Sequence, residues 1–97
     1  MFLIRDVFQA KPGKAKALAG KFKDSIPHMK KEGIGGMQVM TDYVGNYWTV
    51  VIQIEVENLD TYLSQMRTAT SKPEMQKIME GYMELVEGGH REIYKIE

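Results

Sequence analysis

The eleven residues from Tyr47 to Glu57, YWTVVIQIEVE, constrain this chain more than any other segment. Trp48, Val50, Ile52, Ile54 and Val56 fall on one side of an extended backbone; Tyr47, Thr49, Val51, Gln53 and Glu55 fall on the other. Side chains alternate along a strand with a period of two, so this is a strand with one wholly apolar face and one mixed face. The apolar face must be covered by elements that carry an apolar side of their own.

The rest of the chain supplies that cover. Phe2 to Ala10 is apolar at most positions and stops at Lys11-Pro12-Gly13-Lys14, where Pro12 has no N–H to give a ladder. Ala15, Leu18, Phe22, Ile26 and Met29 recur in steps of three and four, predicting a helix with one buried stripe and a lysine-rich outer face. Gly33 is its expected left-handed cap. Met37 to Val44 alternates as a strand, and Gly45-Asn46 predicts a two-residue hairpin connection to the next. Asn58 or Asp60 opens a second helix whose apolar face is Leu59, Tyr62, Leu63 and Met66. Pro73 breaks it. Ser71-Lys72-Pro73-Glu74 has capping-box spacing and predicts a new helix with Met75, Ile78, Met79, Tyr82, Met83 and Val86 as its stripe. Gly88-Gly89 is expected to close that helix and His90 to Ile96 to form a last strand.

The order is β-α-β-β-α-β, with the second helix broken near Pro73. Right-handed crossovers give an antiparallel sheet of order 4-1-3-2 with the helices on one face, a ferredoxin-like α+β sandwich spanning residues 1–97 as one domain. A chain of 97 residues buries only about 60–65% of its unfolded surface, so a partner subunit would help it. Hydrophobic residues at 43% exclude a disordered chain. Thirteen Lys and Arg balance thirteen Asp and Glu, so no global field draws the chain onto nucleic acid. Cysteine is absent, which excludes disulfides, thiolate metal sites and cysteine nucleophiles. No apolar run approaches the ~18 residues of a membrane span, and a cytoplasmic protein is expected. Charge is uneven along the chain: residues 1–31 hold eight bases and two acids, residues 32–97 five bases and eleven acids. One basic helix against an acidic one would account for it.

Helices on one side leave the other face of the sheet open. Strand 1 offers Leu3, Arg5 and Val7 on one side and Phe2, Ile4, Asp6 and Phe8 on the other. Parity is not fixed by the pattern; Arg5 is assigned to the open face, where Glu55 or Gln53 could answer its charge. A mixed face of this kind is too apolar for water and too polar for a dry core. A second copy laid across it is the economical solution.

The Lys11–Lys14 turn, the Pro-broken second helix and the closing G-H-R-E-I-Y-K-I strand resemble the dimeric α+β barrel superfamily, whose small members include NIPSNAP-like proteins and antibiotic-biosynthesis monooxygenases. The resemblance implies a homodimer whose two sheets enclose ligand-sized clefts. It implies no single reaction, since members include cofactor-free oxygenases, haem-degrading enzymes, cyclases and isomerases.

The expected function is therefore binding of a small apolar or aromatic molecule, by a cofactor-independent monooxygenase or a cyclase. The alternatives are a non-catalytic structural or regulatory dimer, and a haem-binding or haem-degrading protein. No cofactor, metal, membrane or nucleic acid is expected. Candidate catalytic groups are Arg5 and Glu55 inside the barrel and His28 at its rim, an imidazole being the side chain suited to proton transfer near neutrality. Gln53, Val51 and Tyr47 are candidate ligand contacts. Glu55 is expected to meet Arg5, or next Arg91, as the polar floor of an apolar pocket, against the blander reading of an ion pair at the rim. Trp48 is a candidate contact as well, although core packing is the commoner role for a strand tryptophan. Haem-degrading relatives add a strand Asn and an axial His to such a tryptophan, and strand 1 here has no Asn. His90 is a weaker candidate ligand, with no second ligand at a suitable spacing. The methionines follow helix and strand periodicity, as packing groups do.

Overall fold

The computed structural model describes residues 1–97. Strand β1 (Phe2–Ala10) leads into helix α1 (Ala15–Lys31), then β2 (Gln38–Thr41), β3 (Thr49–Val56), α2 (Leu59–Thr70), α3 (Pro73–Ile78), a 3-10 turn (Tyr82–Leu85) and β4 (Val86–Lys95). All pairings are antiparallel and the sheet order is β2-β3-β1-β4, the expected 4-1-3-2 read from the other edge. No helix is long and apolar enough to cross a membrane.

The alternation in β3 decides which face is covered. Val50 and Ile54 are buried under the helices, and register places Ile4 beside Ile54 and Phe8 beside Val50. Arg5 stands opposite Gln53, on the open face. Asp6 is consequently turned toward the helices, between Ile4 and Phe8. The buried residues divide into two clusters. One gathers Ile4, Met29, Ile34, Ile54, Tyr62, Ala69 and Met75; the other gathers Ala10, Ala15, Leu18, Ala19, Phe22 and Val50. The Asp6 row lies between them.

Several local expectations are corrected. Strand β2 ends at Thr41, and residues 42–48 form a wider connection than the two-residue Gly45-Asn46 turn. The Asp42 side chain takes the Thr49 N–H at 2.9 Å and the Thr49 hydroxyl donates to the Asn46 carbonyl at 2.9 Å, so side chains close this loop. Trp48 belongs to the loop, not to β3. Its φ is +62°, a left-handed conformation that costs about 1–2 kcal/mol in a residue with a Cβ. Ser71 does not cap α3. It ends α2, its hydroxyl donating to the Thr68 carbonyl at 2.7 Å. Lys72, kept extended by the following proline, precedes Pro73 at the first helical position. The predicted long third helix stops at Ile78 because Gly81 turns left-handed (φ +79°) into the 3-10 turn.

Gly88 and Gly89 lie inside β4, not at a helix end. The reason is a close approach: a Cβ on Gly89 would stand 2.5 Å from the Val7 carbonyl oxygen. The charge asymmetry is not an acidic helix against a basic one either. The one lysine–carboxylate pair between helical segments is Lys72–Glu32 at 3.9 Å. Lys21 instead donates to the carbonyls of Ile78 and Glu80, at 3.3 and 2.8 Å. Asn58 caps α2 as expected, accepting the Thr61 N–H at 2.9 Å. Gly33 is left-handed as expected, with φ +86°.

Gly89→Ala should destabilise the fold by about 1–3 kcal/mol through overpacking against β1. Urea unfolding should show a lower midpoint at unchanged slope, whereas Gly88→Ala, where a Cβ meets nothing within 4 Å, should fall well short of that loss.

Candidate functional site

The gap between the two core clusters is a cavity of 460 Å³ between sheet and helices. Its apolar walls come from Phe8 and Ile52 on the sheet, Phe22 and Met29 on α1, and Met66, Met75, Met79 and Tyr82 on the later helical segments. The methionines give it unbranched, polarisable walls that adapt to the shape of an occupant.

Its polar floor is built on adjacent strands. Asp6 and Arg91 face each other in the β1–β4 register. Arg91 Nε donates to Asp6 Oδ1 at 2.6 Å, and Nη2 donates to Oδ2 at 3.3 Å. Hydrogen bonding to Asp6 raises the Arg91 pKa, so the guanidinium is a permanent cation here. Its fork spends two donors on the carboxylate and keeps others free for the cavity. Tyr62 reaches the same floor from α2 and is 3% exposed. Its hydroxyl enters none of the side-chain hydrogen bonds formed within the chain, and burial, followed by the Asp6 charge, pushes its pKa above the ordinary phenol value. Tyr62 is therefore a neutral donor at physiological pH. Asp6 is engaged by Arg91 and is not a free base. The arrangement can hold and orient an uncharged acceptor such as a carbonyl or hydroxyl oxygen; Asp6 and Arg91 offset each other, so the floor has no net charge to draw in a carboxylate.

The residues singled out from sequence lie elsewhere. Arg5, Val51 and Gln53 are half-buried on the open face, and Glu55 is exposed at its end beside Gly36, Gln38 and Gln53 in a shallow depression. Glu55 is one pair along from Arg5, opposite Leu3, and no ion pair joins them. Arg91 cannot serve Glu55, since it lies on the covered face with Asp6. His28 sits on α1 beside Lys31, Glu32 and Lys72, behind the sheet from Arg5 and Glu55, so the structure does not bring the three together. Tyr47 and Trp48 border a separate groove with α1. Tyr94, opposite Leu3, is on the open face as well.

There a second polar set runs along β4. His90 Nε2 lies 2.9 Å from Glu92 Oε2, and the Tyr94 hydroxyl donates to Glu92 Oε1 at 3.0 Å. These bonds, His90 first, hold the Glu92 carboxyl below its ordinary range. Arg5 is the cross-strand neighbour of Glu92. No group of three or more His, Asp or Glu is placed to hold a metal ion, and no histidine lines the cavity.

Sequence reasoning missed Asp6, Arg91 and Tyr62 as a set. The signal was a lone carboxylate in the Phe2, Ile4, Phe8 row, which demands a partner once that row is known to face the helices.

One wall of the cavity is held from outside. Lys21 ties α1 to the carbonyls at the end of α3, just beyond Met75 and beside Met79 and Tyr82. Lys21→Met should leave global stability within about 1 kcal/mol, as for one solvent-accessible hydrogen-bonding group. Amide exchange at residues 76–82 should accelerate while exchange in β1 and β3 stays unchanged.

No family model matches the sequence, and no curated protein is similar to it in sequence. Solved structures are similar in fold. A NIPSNAP family protein of unknown function from Agrobacterium tumefaciens superposes with a TM-score of 0.85 at 18% identity, covering 99% of this chain and 87% of that one. A NIPSNAP domain protein from Burkholderia xenovorans gives 0.83 at 12% identity, over 100% and 95% of the two chains. An antibiotic biosynthesis monooxygenase gives 0.71 at 8% identity, over 99% and 98%. The chain thus has the ferredoxin-like fold of NIPSNAP and antibiotic-biosynthesis-monooxygenase proteins, as the sequence resemblance implied.

Proposed function

We propose that this chain is a homodimeric binding protein for a small, uncharged and largely apolar molecule, taken into the cavity between sheet and helices. The observation that carries this reading is Tyr62: a phenol 3% exposed, lining a 460 Å³ apolar cavity, with its hydroxyl unengaged by the chain. No side-chain polar atom is both buried and unpartnered, so this hydroxyl opens onto the cavity with its hydrogen-bonding capacity free, and a ligand oxygen can take it. Arg91 adds further donors at the same floor. A flat aromatic with one hydroxyl or carbonyl fits both the walls and the floor. The same donors would polarise a bound carbonyl, which favours cofactor-independent oxygenase or cyclase chemistry over haem chemistry, for which the cavity offers no imidazole.

Dimerisation in this proposal uses the open face. Leu3, Val7, Val51, Met40 and Tyr94 share it with Arg5, Gln53 and Glu92. A specific interface of ~800 Å² per partner is within reach of a four-stranded sheet. Sedimentation should give twice the 11.1 kDa chain mass at micromolar concentration. Val51→Lys, at the centre of that face, should shift the protein to monomer; a wild-type monomer would remove the dimer from the reading.

The binding test uses 2-naphthol as probe, with calorimetry as readout. Wild-type protein should bind it saturably, and Tyr62→Phe should weaken it about 3–10-fold, the worth of one hydrogen bond. Because the hydroxyl has no partner in the chain, Tyr62→Phe should leave the thermal midpoint unchanged. Binding indifferent to Tyr62 and to Arg91→Met would refute the assignment of the site.

A further inference from the structure

A groove of 630 Å³ lies between α1 and the β2 edge of the sheet, where Val39 and Thr41 line it, and is bordered by the 42–48 loop. Lys16, Lys23, Ala19 and Gly20 line it from the helix, Tyr47 and Trp48 from the loop. It shares no lining residue with the cavity of the preceding section.

Three observations converge on it. Large exposed apolar side chains are concentrated beside it: four of the ten on the chain fall in residues 43–48, Trp48 among them at 42% exposure. A single tryptophan is ordinarily spent on core burial, so an indole left half in water at a groove is out of place unless something stacks on it. Next, the backbone that carries the indole is fixed. Trp48 holds a left-handed backbone, and its carbonyl accepts the Ala10 N–H at 2.8 Å while the Gln9 side-chain amide donates to the carbonyls of Tyr47 and Trp48. Strain kept by surrounding hydrogen bonds is the pattern of a pre-organised contact.

The third observation is charge. Lys16 and Lys23 are seven residues apart on α1, about 10 Å along the axis, with Ala19 and Gly20 leaving the floor between them low. Neither lysine is in an ion pair, and the first turn of α1 holds no acid. The single carboxylate on the groove, Asp42, accepts the Thr49 N–H and leaves one negative charge against the two lysines.

We propose that this groove is a second binding site, and that it takes a flat aromatic anion of the aryl carboxylate class. The ring stacks on the Trp48 indole and the carboxylate meets Lys16 or Lys23. The two sites then differ in charge preference: the cavity selects an uncharged oxygen, the groove an anionic one.

Because Trp48 is the only tryptophan, its indole N–H gives one assignable resonance. Titration with 2-naphthoate should move that resonance saturably while the Tyr62 and Arg91 resonances stay still. The neutral analogue 2-naphthamide should bind about 10-fold more weakly, the worth of one charge-assisted hydrogen bond. The double variant Lys16→Gln/Lys23→Gln changes exposed side chains only, and should abolish the preference for the anion while leaving naphthamide binding as it was. An indole shift that never saturates, equal affinity for the two probes, or a double variant that still prefers the anion overturns the proposal.

Discussion

The ion pair of Asp6 and Arg91 sets the interior of this protein. A helix layer laid on a sheet excludes water by pressing apolar side chains into every row. The row of Val39, Ile52, Asp6 and Arg91 cannot be pressed in that way, because a carboxylate and a guanidinium placed in a dry core pay several kcal/mol each in lost hydration. The core therefore closes on the Ile4 row and on the Phe8 row, and stays open between them. What remains is a chamber with methionine walls and a charged but balanced floor. Replacing the pair with two apolar residues would fill the gap with packing, at the expense of the cavity and not necessarily of stability.

The second consequence is a division between the faces of the sheet. The covered face keeps one compact polar set, Asp6, Arg91 and Tyr62, at the floor of the chamber, with Tyr62 and Asp6 mostly covered and Arg91 reaching out to solvent. The open face keeps another, His90, Glu92 and Tyr94 with Arg5 alongside. Exposed polar networks contribute little to stability, and this one fits a rim or an interface better than a site of chemistry. The short α3 and the 3-10 turn behind it complete the chamber wall, and Lys21 holds them by their backbone carbonyls. Lysine at the carbonyl end of a helix also meets the negative end of its dipole.

Much of the fold was legible because it rests on periodicity. The alternation from Val50 to Val56, the three-and-four spacing from Ala15 to Met29, Asn58 as a cap and Pro73 as a break each carry their own physical reason. The strand order followed from crossover handedness. The misplaced features depend on contacts across the fold. Gly88-Gly89 looks like a helix stop until β1 is seen to pass within reach of a Cβ. Ser71 satisfies the spacing of a capping box, yet its hydroxyl turns back to α2. Trp48 continues the alternation of β3 in sequence, and the Asp42–Thr49 hydrogen bond takes it out of the strand. The site residues read from sequence lie apart from the chamber for a related reason. Alternation points to the Glu55 carboxylate on the open face, while the carboxylate that floors the chamber sits in the apolar row of β1. Its partner comes from 85 residues later in the chain, a separation that spacing rules do not reach.

The central claim is that the chamber over Asp6 and Arg91, not the open face of the sheet, receives the ligand. A crystal of the protein soaked with 2-naphthol tests this most directly. The account predicts the naphthalene between the methionine walls, with its hydroxyl in hydrogen-bond range of Tyr62 or Arg91. Naphthol found only between the sheets of two copies, with the chamber unchanged, would contradict it.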